Sequence, residues 1–221
     1  MVQKSRRPPA SAPAALAEPK RRGRPRAYQP EIALGRALEL FRKGGLAATS
    51  LDELSAATGM NRPSLYGAFG DKRELYIKSY QRYRDDARAA MRGIFREAIP
   101  IRKRLERIFA VALGIYLSGE AGPRGCFTVV TAASDAVADP EIRAMVIEGL
   151  TELDKAFAFS FRTARENGEL PAAADPAVLA QMASATLHSI AIRARAGIPR
   201  KELEAMAKGA IDVLCGMAAS R

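Results

Sequence analysis

From residue 30 onward apolar side chains recur every third or fourth position, and no stretch alternates with period two for long enough to make a strand. Ala33, Ala37, Leu40 and Phe41 share one face of a first helix, which Gly44-Gly45 should stop. Ser50 with Glu53 three residues on is a capping box, and Leu51, Leu54, Ser55 and Thr58 line one face of the short second helix it opens. Gly59 ends that helix. Asn61 can cap a third, with Pro63 in its first turn, where a missing N–H costs nothing, and Leu65 and Phe69 turn inward. Asp71 with Glu74 repeats the capping box for a fourth helix, which runs to about Arg96. Further helices are expected over Ile101–Ser118, over Cys126–Val137 as a short apolar piece, and from Asp139-Pro140 to about Asn167. Two more follow, over Ala177–Ala196 and from Pro199 to about Ala218. The expected class is all-α, without internal repeats.

At 221 residues, 48% of them apolar, the chain can form one or two domains with a real core. Its net charge of +11 points to an anionic partner. Most of that excess, a net +7, sits within residues 1–28, a Pro- and Ala-rich segment with almost no larger aliphatics. Such a segment cannot bury enough surface to offset chain entropy, so residues 1–28 are expected to be a disordered basic arm. No apolar stretch of 7–15 residues follows its basic residues, so it does not read as a secretory signal. No uncharged apolar run reaches the length of a membrane span. Two cysteines, Cys126 and Cys215, make no disulfide framework and fit a reducing cytoplasm. A single histidine, His188, leaves little material for metal sites or acid–base catalysis, so no metal or cofactor is expected.

Two short capped helices joined by a tight Gly-containing turn carry the helix-turn-helix signal. In that motif the second helix must stand proud so that its first residues reach base edges. Small residues such as Pro63, Gly67 and Ala68 let a helix sink into the major groove. Spacing alone fits equally well any three-helix module with polar exposed residues.

The residues themselves go further. Ala37-Leu38-Glu39-Leu40-Phe41, Thr49-Ser50-Leu51-Asp52-Glu53-Leu54, Gly59 through Tyr66, and Phe69-Gly70-Asp71-Lys72 together resemble the DNA-binding domain of the TetR (tetracycline-repressor-like) transcriptional regulators. The resemblance covers about 50 residues in order; beyond them only the helical pattern is shared. It implies an all-α homodimer that binds a double-stranded DNA operator through residues 29–75. Residues 76–221 would form a ligand-binding and dimerisation domain, and a small effector would release the operator. It also implies roles. Thr49 and Ser50 open the helix that approaches a phosphate. Arg62, Pro63 and Ser64, beside Asn61, sit where bases are read, and Tyr66 and Lys72 sit where the backbone is met. Gly67 and Ala68 stand where the family often has His or Tyr.

The arm offers a second DNA contact, because Arg22, Arg24 and Arg26 frame an Arg-Gly-Arg-Pro core that can lie extended in a narrow A·T minor groove. The competing reading is a solvated basic tail that adds only counterion release. In the second half, Leu203, Ala207, Ala210, Leu214 and Met217 make a seam-like stripe, and Met182, Thr186 and Ile190 mark a face of the preceding helix. The resemblance makes these a dimer interface; packing within one subunit is the plainer alternative. It also implies a pocket among the aromatic-rich helices, with Phe109, Tyr116, Phe127, Met145 and Phe161 as lining candidates for an apolar or aromatic effector.

Other features carry less. Gly119, Gly122 and Gly125 lack the Gly-Lys-Ser/Thr end of a phosphate loop. His188 reads as an interface or pocket histidine, and Asp85-Asp86 point different ways. Cys126, beside Arg124 at a helix start, is read as a small buried apolar group or, alternatively, as the thiol of a redox-sensing regulator. The expected function is therefore a cytoplasmic, nucleoid-associated transcriptional repressor that a small-molecule effector releases from a palindromic operator, and not an enzyme. The rivals are a thiol-dependent enzyme and a non-specific nucleoid protein.

Overall fold

Local sequence chemistry, a proline for the first helix and side-chain caps for the next three, fixes where the first four helices begin in the computed structural model of the chain, which describes residues 29–119 and 122–216. The basic arm with Arg22, Arg24 and Arg26 lies outside the described residues, as does Met217. Helix α1 (Pro30–Ala48) starts on a proline, whose fixed φ suits the first turn. Helices α2 (Leu51–Thr58) and α4 (Lys72–Arg96) both begin with complete capping boxes, from Ser50 with Glu53 and from Asp71 with Glu74. In α3 (Arg62–Phe69), the Asn61 side chain accepts from the Ser64 amide at 2.9 Å. Helix α4 runs unbroken through residues 75 and 76, so the two halves of the molecule share one helix.

Gly45 interrupts α1 without ending it. Its φ of 76° is a left-handed conformation that favours glycine, and a Cβ there would lie 3.2 Å from Asp135 Oδ2 and 3.3 Å from Thr131 Cγ2. The break leaves carbonyls without helical partners. Arg195 donates to the carbonyls of Arg42 and Lys43 at 2.7 and 2.6 Å, and the Thr49 hydroxyl donates to that of Gly45 at 2.7 Å. The helix then resumes for one turn, to Ala48.

The second half holds α5 (Ile101–Leu117), a π-helical turn (Thr128–Ala132) that continues into the short α6 (Ala133–Asp135), and three longer helices. These are α7 (Pro140–Glu166), α8 (Pro176–Arg195) and α9 (Arg200–Leu214). Asp139 and Asp175 cap α7 and α8, each followed by a proline. The sequence pattern implies an ordinary helix from Cys126. The π turn forms instead, where Thr128 Oγ1 meets the Tyr80 hydroxyl at 3.2 Å and Thr131 Oγ1 donates to the Arg42 carbonyl at 3.3 Å. Helix α9 ends at Leu214, short of the expected Ala218, and the chain turns at Gly216, with φ 71°.

Helix α7 packs on α8, α8 on α9, and α5 against both α8 and α9; α1 lies along α4. Between the halves sits an aromatic cluster. Tyr76 meets Phe41 and Phe127 edge-on, at 5.1 and 5.5 Å between ring centroids, and Tyr80 and Tyr83 also contact Phe127 edge-on. Each such pair adds about 0.5–1.5 kcal/mol beyond its area burial.

The expected dimer stripe needs correction. Leu203, Ala207 and Leu214 are buried inside their own subunit, on the side of α9 that meets α5 and α8, and Ile190 is fully buried as well. Ala210 and Thr186 are half-buried, and among the described residues of this set only Met182 is well exposed. A heptad-spaced stripe marks whichever face packs most, and in α9 that face turns toward its own core.

Candidate nucleic-acid interface and a cavity behind it

Helix α3 presents Asn61, Arg62, Pro63, Tyr66 and Gly67 to solvent, with Ser64 half-buried, while Leu65 and Phe69 anchor it from beneath. The inward pair fixes the depth of the helix, and the Asn61 cap fixes where it starts. A side chain at Gly67 would meet nothing within 4 Å, so this surface is open enough to approach a duplex closely. Arg62 is not idle: its Nη2 donates to Asp52 Oδ1 at 2.7 Å across the turn from α2, and this hydrogen bond raises its pKa. Both partners are more than half exposed.

Ser50 is exposed at the start of α2, its hydroxyl accepting from the Glu53 amide and donating to the Glu53 carboxylate. The cap lowers the Glu53 pKa. Thr49 departs from expectation. Its side chain is buried and committed to the Gly45 carbonyl, so the hydroxyl faces inward and cannot meet a phosphate. Its own carbonyl accepts from Lys72 Nζ at 3.1 Å, which holds the ammonium at the α2–α4 junction.

Arg42 joins this module to the rest of the chain. Nearly fully buried, it donates through Nη2 to the carbonyls of Ile115 and Gly125, both at 3.2 Å, pairs with Glu39 and stacks over the Tyr83 ring. Asp135 adds a second tie, accepting from the Leu46 amide at 3.1 Å and the Tyr76 hydroxyl at 2.6 Å. Arg73 adds a third, donating to Asp139 and Glu141 on α7. No motif in the sequence signals the hydrogen bonds of Arg42 to Ile115 and Gly125 or those of Arg73 to Asp139 and Glu141, because these partners lie at least 66 residues away.

Ile115 leads directly to a half-open cavity of about 560 Å3 lined by α4, α5, α7, α8 and the segment around Cys126. That size suits a small organic molecule. Tyr116 lines it, as the sequence suggests, and so do Cys126 and His188. Burial lowers the His188 pKa. Phe109, Phe127, Met145 and Phe161 do not line it. All four are buried packing residues; Phe127 is spent on the three tyrosines and Phe161 lies against Phe157. Large aromatics fill space, and the walls of a void come from residues whose neighbours leave a gap.

The sequence reading missed the two adjacent ridges that α4 turns to this cavity. Tyr83, Ala87, Met91 and Phe95 form an apolar ridge at four-residue spacing; Arg84, Arg88, Arg92 and Arg96 form a cationic ridge beside it. A four-residue arginine repeat was visible in the sequence; that it borders a cavity was not.

Comparison with known proteins fits both halves. A family model described as bacterial regulatory proteins of the tetR family matches residues 33–78, and one described as the tetracyclin repressor-like C-terminal domain matches residues 102–209. The chain belongs to the TetR family. The HTH-type transcriptional repressor ComR of Escherichia coli K12 is 29% identical over 186 residues, covering 83% of this chain and 88% of ComR. The repressor BdcR of the same organism is 32% identical over 126 residues, 57% of this chain and 62% of BdcR. Among solved structures, a cysteine-substituted TetR family regulator CifR, complexed with 26-bp double-strand operator DNA, aligns with a TM-score of 0.76 and 28% identity. That alignment covers 86% of this chain and 98% of CifR. The TetR-type head spans α1 to the start of α4, and the C-terminal match spans the helices around the cavity. No helix of the described residues is long and apolar enough to cross a membrane.

Proposed function

We propose that this TetR-family chain is a cytoplasmic, nucleoid-associated transcriptional repressor that does no covalent chemistry. It binds a palindromic operator as a homodimer and leaves it when a small molecule fills the cavity. The observation that carries the reading is the connection through Arg42. One guanidinium, rooted in the first helix of the DNA-reading head, holds two carbonyls of the segments that wall the cavity. A ligand that shifts Ile115 or Gly125 therefore pulls on α1. Residues 29–75 form the head and residues 76–221 the regulatory domain, with α4 as the lever common to both.

Within the head, Arg62, Pro63, Ser64 and Asn61 read base edges, Tyr66, Ser50 and Lys72 position the backbone, and Arg22, Arg24 and Arg26 of the arm reach the minor groove. Two heads set about 34–36 Å apart read half-sites one helical turn apart. The pairing face is the one left open by the core: Val178, Met182, Ala185 and Ile192 on α8, with Ala205, Gly209 and Val213 on α9. A mid-helix glycine costs about 1 kcal/mol relative to alanine. A Cβ at Gly209 would meet nothing within its own subunit, so close approach of a partner helix accounts for it.

Selection of genomic fragments with the purified protein tests the reading. It should enrich a small set of palindromic sites, and deletion of residues 1–26 should lower the salt dependence of binding to them. Equal recovery of all fragments would leave a non-specific nucleoid protein. Cys126, in the cavity wall, supports a second reading in which thiol modification releases the operator. Operator release by a thiol-alkylating reagent that fails on Cys126→Ser would favour it.

A further inference from the structure

The cavity lining is lopsided in charge. Five cationic side chains, Arg84, Arg88, Arg92, Arg96 and Lys155, face one carboxylate, Glu152. The two ends differ. Arg84 and Arg88 are committed to Glu148, Glu152 and Asp85, which ties α4 to α7 and neutralises that end. Arg92, Arg96 and Lys155 are exposed and form no ion pair among the described residues. Beneath them lie Met91, Phe95 and Leu153, and the inner wall is made by Tyr83, Tyr116 and Leu187. From Arg84 to Arg96 the helix rises about 18 Å. The void is thus apolar within and cationic at one end of its mouth.

We propose that the ligand of this cavity is an amphipathic organic anion, with an aromatic or aliphatic body inside and a carboxylate, sulfonate or phosphate at the mouth between Arg92, Arg96 and Lys155. The proposal rests on the effector reading above and specifies its chemistry. Guanidinium groups suit such a head because they offer paired donors that match two anion oxygens. The apolar walls exclude water and strengthen the attraction at their edge. A cationic lipophile of the same size meets the same arginines as repulsion. The usual reading of an arginine ridge, a solvated helix face, explains Arg84 and Arg88 through α7. It does not explain why the unpaired members sit over a void.

Two fluorescent probes that differ by one group test this: 8-anilinonaphthalene-1-sulfonate and its uncharged parent, N-phenyl-1-naphthylamine. The full chain should bind the sulfonate at least tenfold more tightly than the parent. Arg92→Ala/Arg96→Ala changes two exposed, unpaired side chains, so the fold should persist, as a thermal melt verifies. This variant should lose most of that preference and leave binding of the parent unchanged. Ala87→Phe, which fills the void, should abolish binding of both probes while operator binding persists, placing them in the cavity. Equal affinities for the two probes, or a preference that survives in the double variant, overturn the anion proposal and leave the cavity as an effector site. Failure of both probes to bind a protein that still binds its operator overturns the cavity reading itself, and the anion proposal with it.

Discussion

The DNA-reading head and the regulatory half are held together over different ranges of the chain. In the head, the contacts that fix each helix start span three residues: Ser50 with Glu53, Asn61 with Ser64, Asp71 with Glu74. In the regulatory half α7 and α8 have equally local caps, but the side-chain ties between helices reach from Arg84 to Glu148, 64 residues on, and from Arg102 to Asp212, 110 residues on, while Arg195 reaches 153 residues back to Arg42 of the head. A module of the first kind carries its shape with it. One of the second kind changes shape whenever a docked helix moves, which is what a ligand-responsive domain requires.

The sharpest way to break this contrast is a charge on either side of α9. Leu214→Arg places an unpaired cation in the core of one subunit and should cost several kcal/mol, enough to unfold the regulatory half. Val213→Arg, one residue away on the exposed face, should leave the helical signal and the melting temperature of the subunit intact but shift sedimentation from dimer to monomer. A folded monomer from Leu214→Arg would mean that the inner stripe is the interface after all.

Arg42→Met comes next. It removes one buried and one partly buried hydrogen bond from a charged donor and should destabilise the protein by about 3 kcal/mol in denaturant titration. Beyond stability, it should make operator affinity insensitive to whatever fills the cavity. If ligand-induced release persists in this variant, the connection runs through Asp135 or Arg73 instead.

Within the head, Arg62→Ala should weaken operator binding by about 1–3 kcal/mol and relax preference at one base pair. A uniform loss across all base-pair variants would reassign Arg62 to a phosphate. The smallest effect is one of pH. Asp139 caps α7 and pairs with Arg73, whose hydrogen bond is the main cause that holds its pKa at about 2 instead of 3.8. A depressed folded-state pKa contributes stability that is present above the unfolded value and lost as pH falls through the folded one. The melting temperature should therefore decline between about pH 4 and pH 2 for this reason, and less so in Arg73→Met.

The head was legible because its information is local. Ser50, Asn61 and Asp71 announce their helices within three residues, and Leu65 and Phe69 announce the buried side of α3. Thr49 was misjudged for a reason the sequence hides: the break at Gly45 creates a free carbonyl that claims the hydroxyl. The cavity was misjudged because aromatic content marks where a core fills, whereas a void depends on which ridges of α4, α7 and α8 fail to meet. The packing of α9 was hidden because spacings of three and four residues fit contact within a subunit as well as between subunits, and only the docking of α5 and α8 shows that Leu203, Ala207 and Leu214 turn inward.

The Asp52–Arg62 pair has a consequence for how the proposed regulator searches a chromosome. An arginine that travels with its own carboxylate is already partly satisfied, and that carboxylate repels the phosphates of any duplex it approaches. Random sites therefore gain little from Arg62, since a phosphate merely replaces one oxygen anion with another. A guanine edge that offers two acceptors in the plane of the guanidinium gives more than Asp52 does. If Arg62 reads a guanine as proposed, the pair would act as a threshold, lowering residence on wrong sequences more than on the right one. Asp52→Asn should tighten binding to random DNA by a larger factor than binding to the operator, so that the ratio of the two affinities narrows.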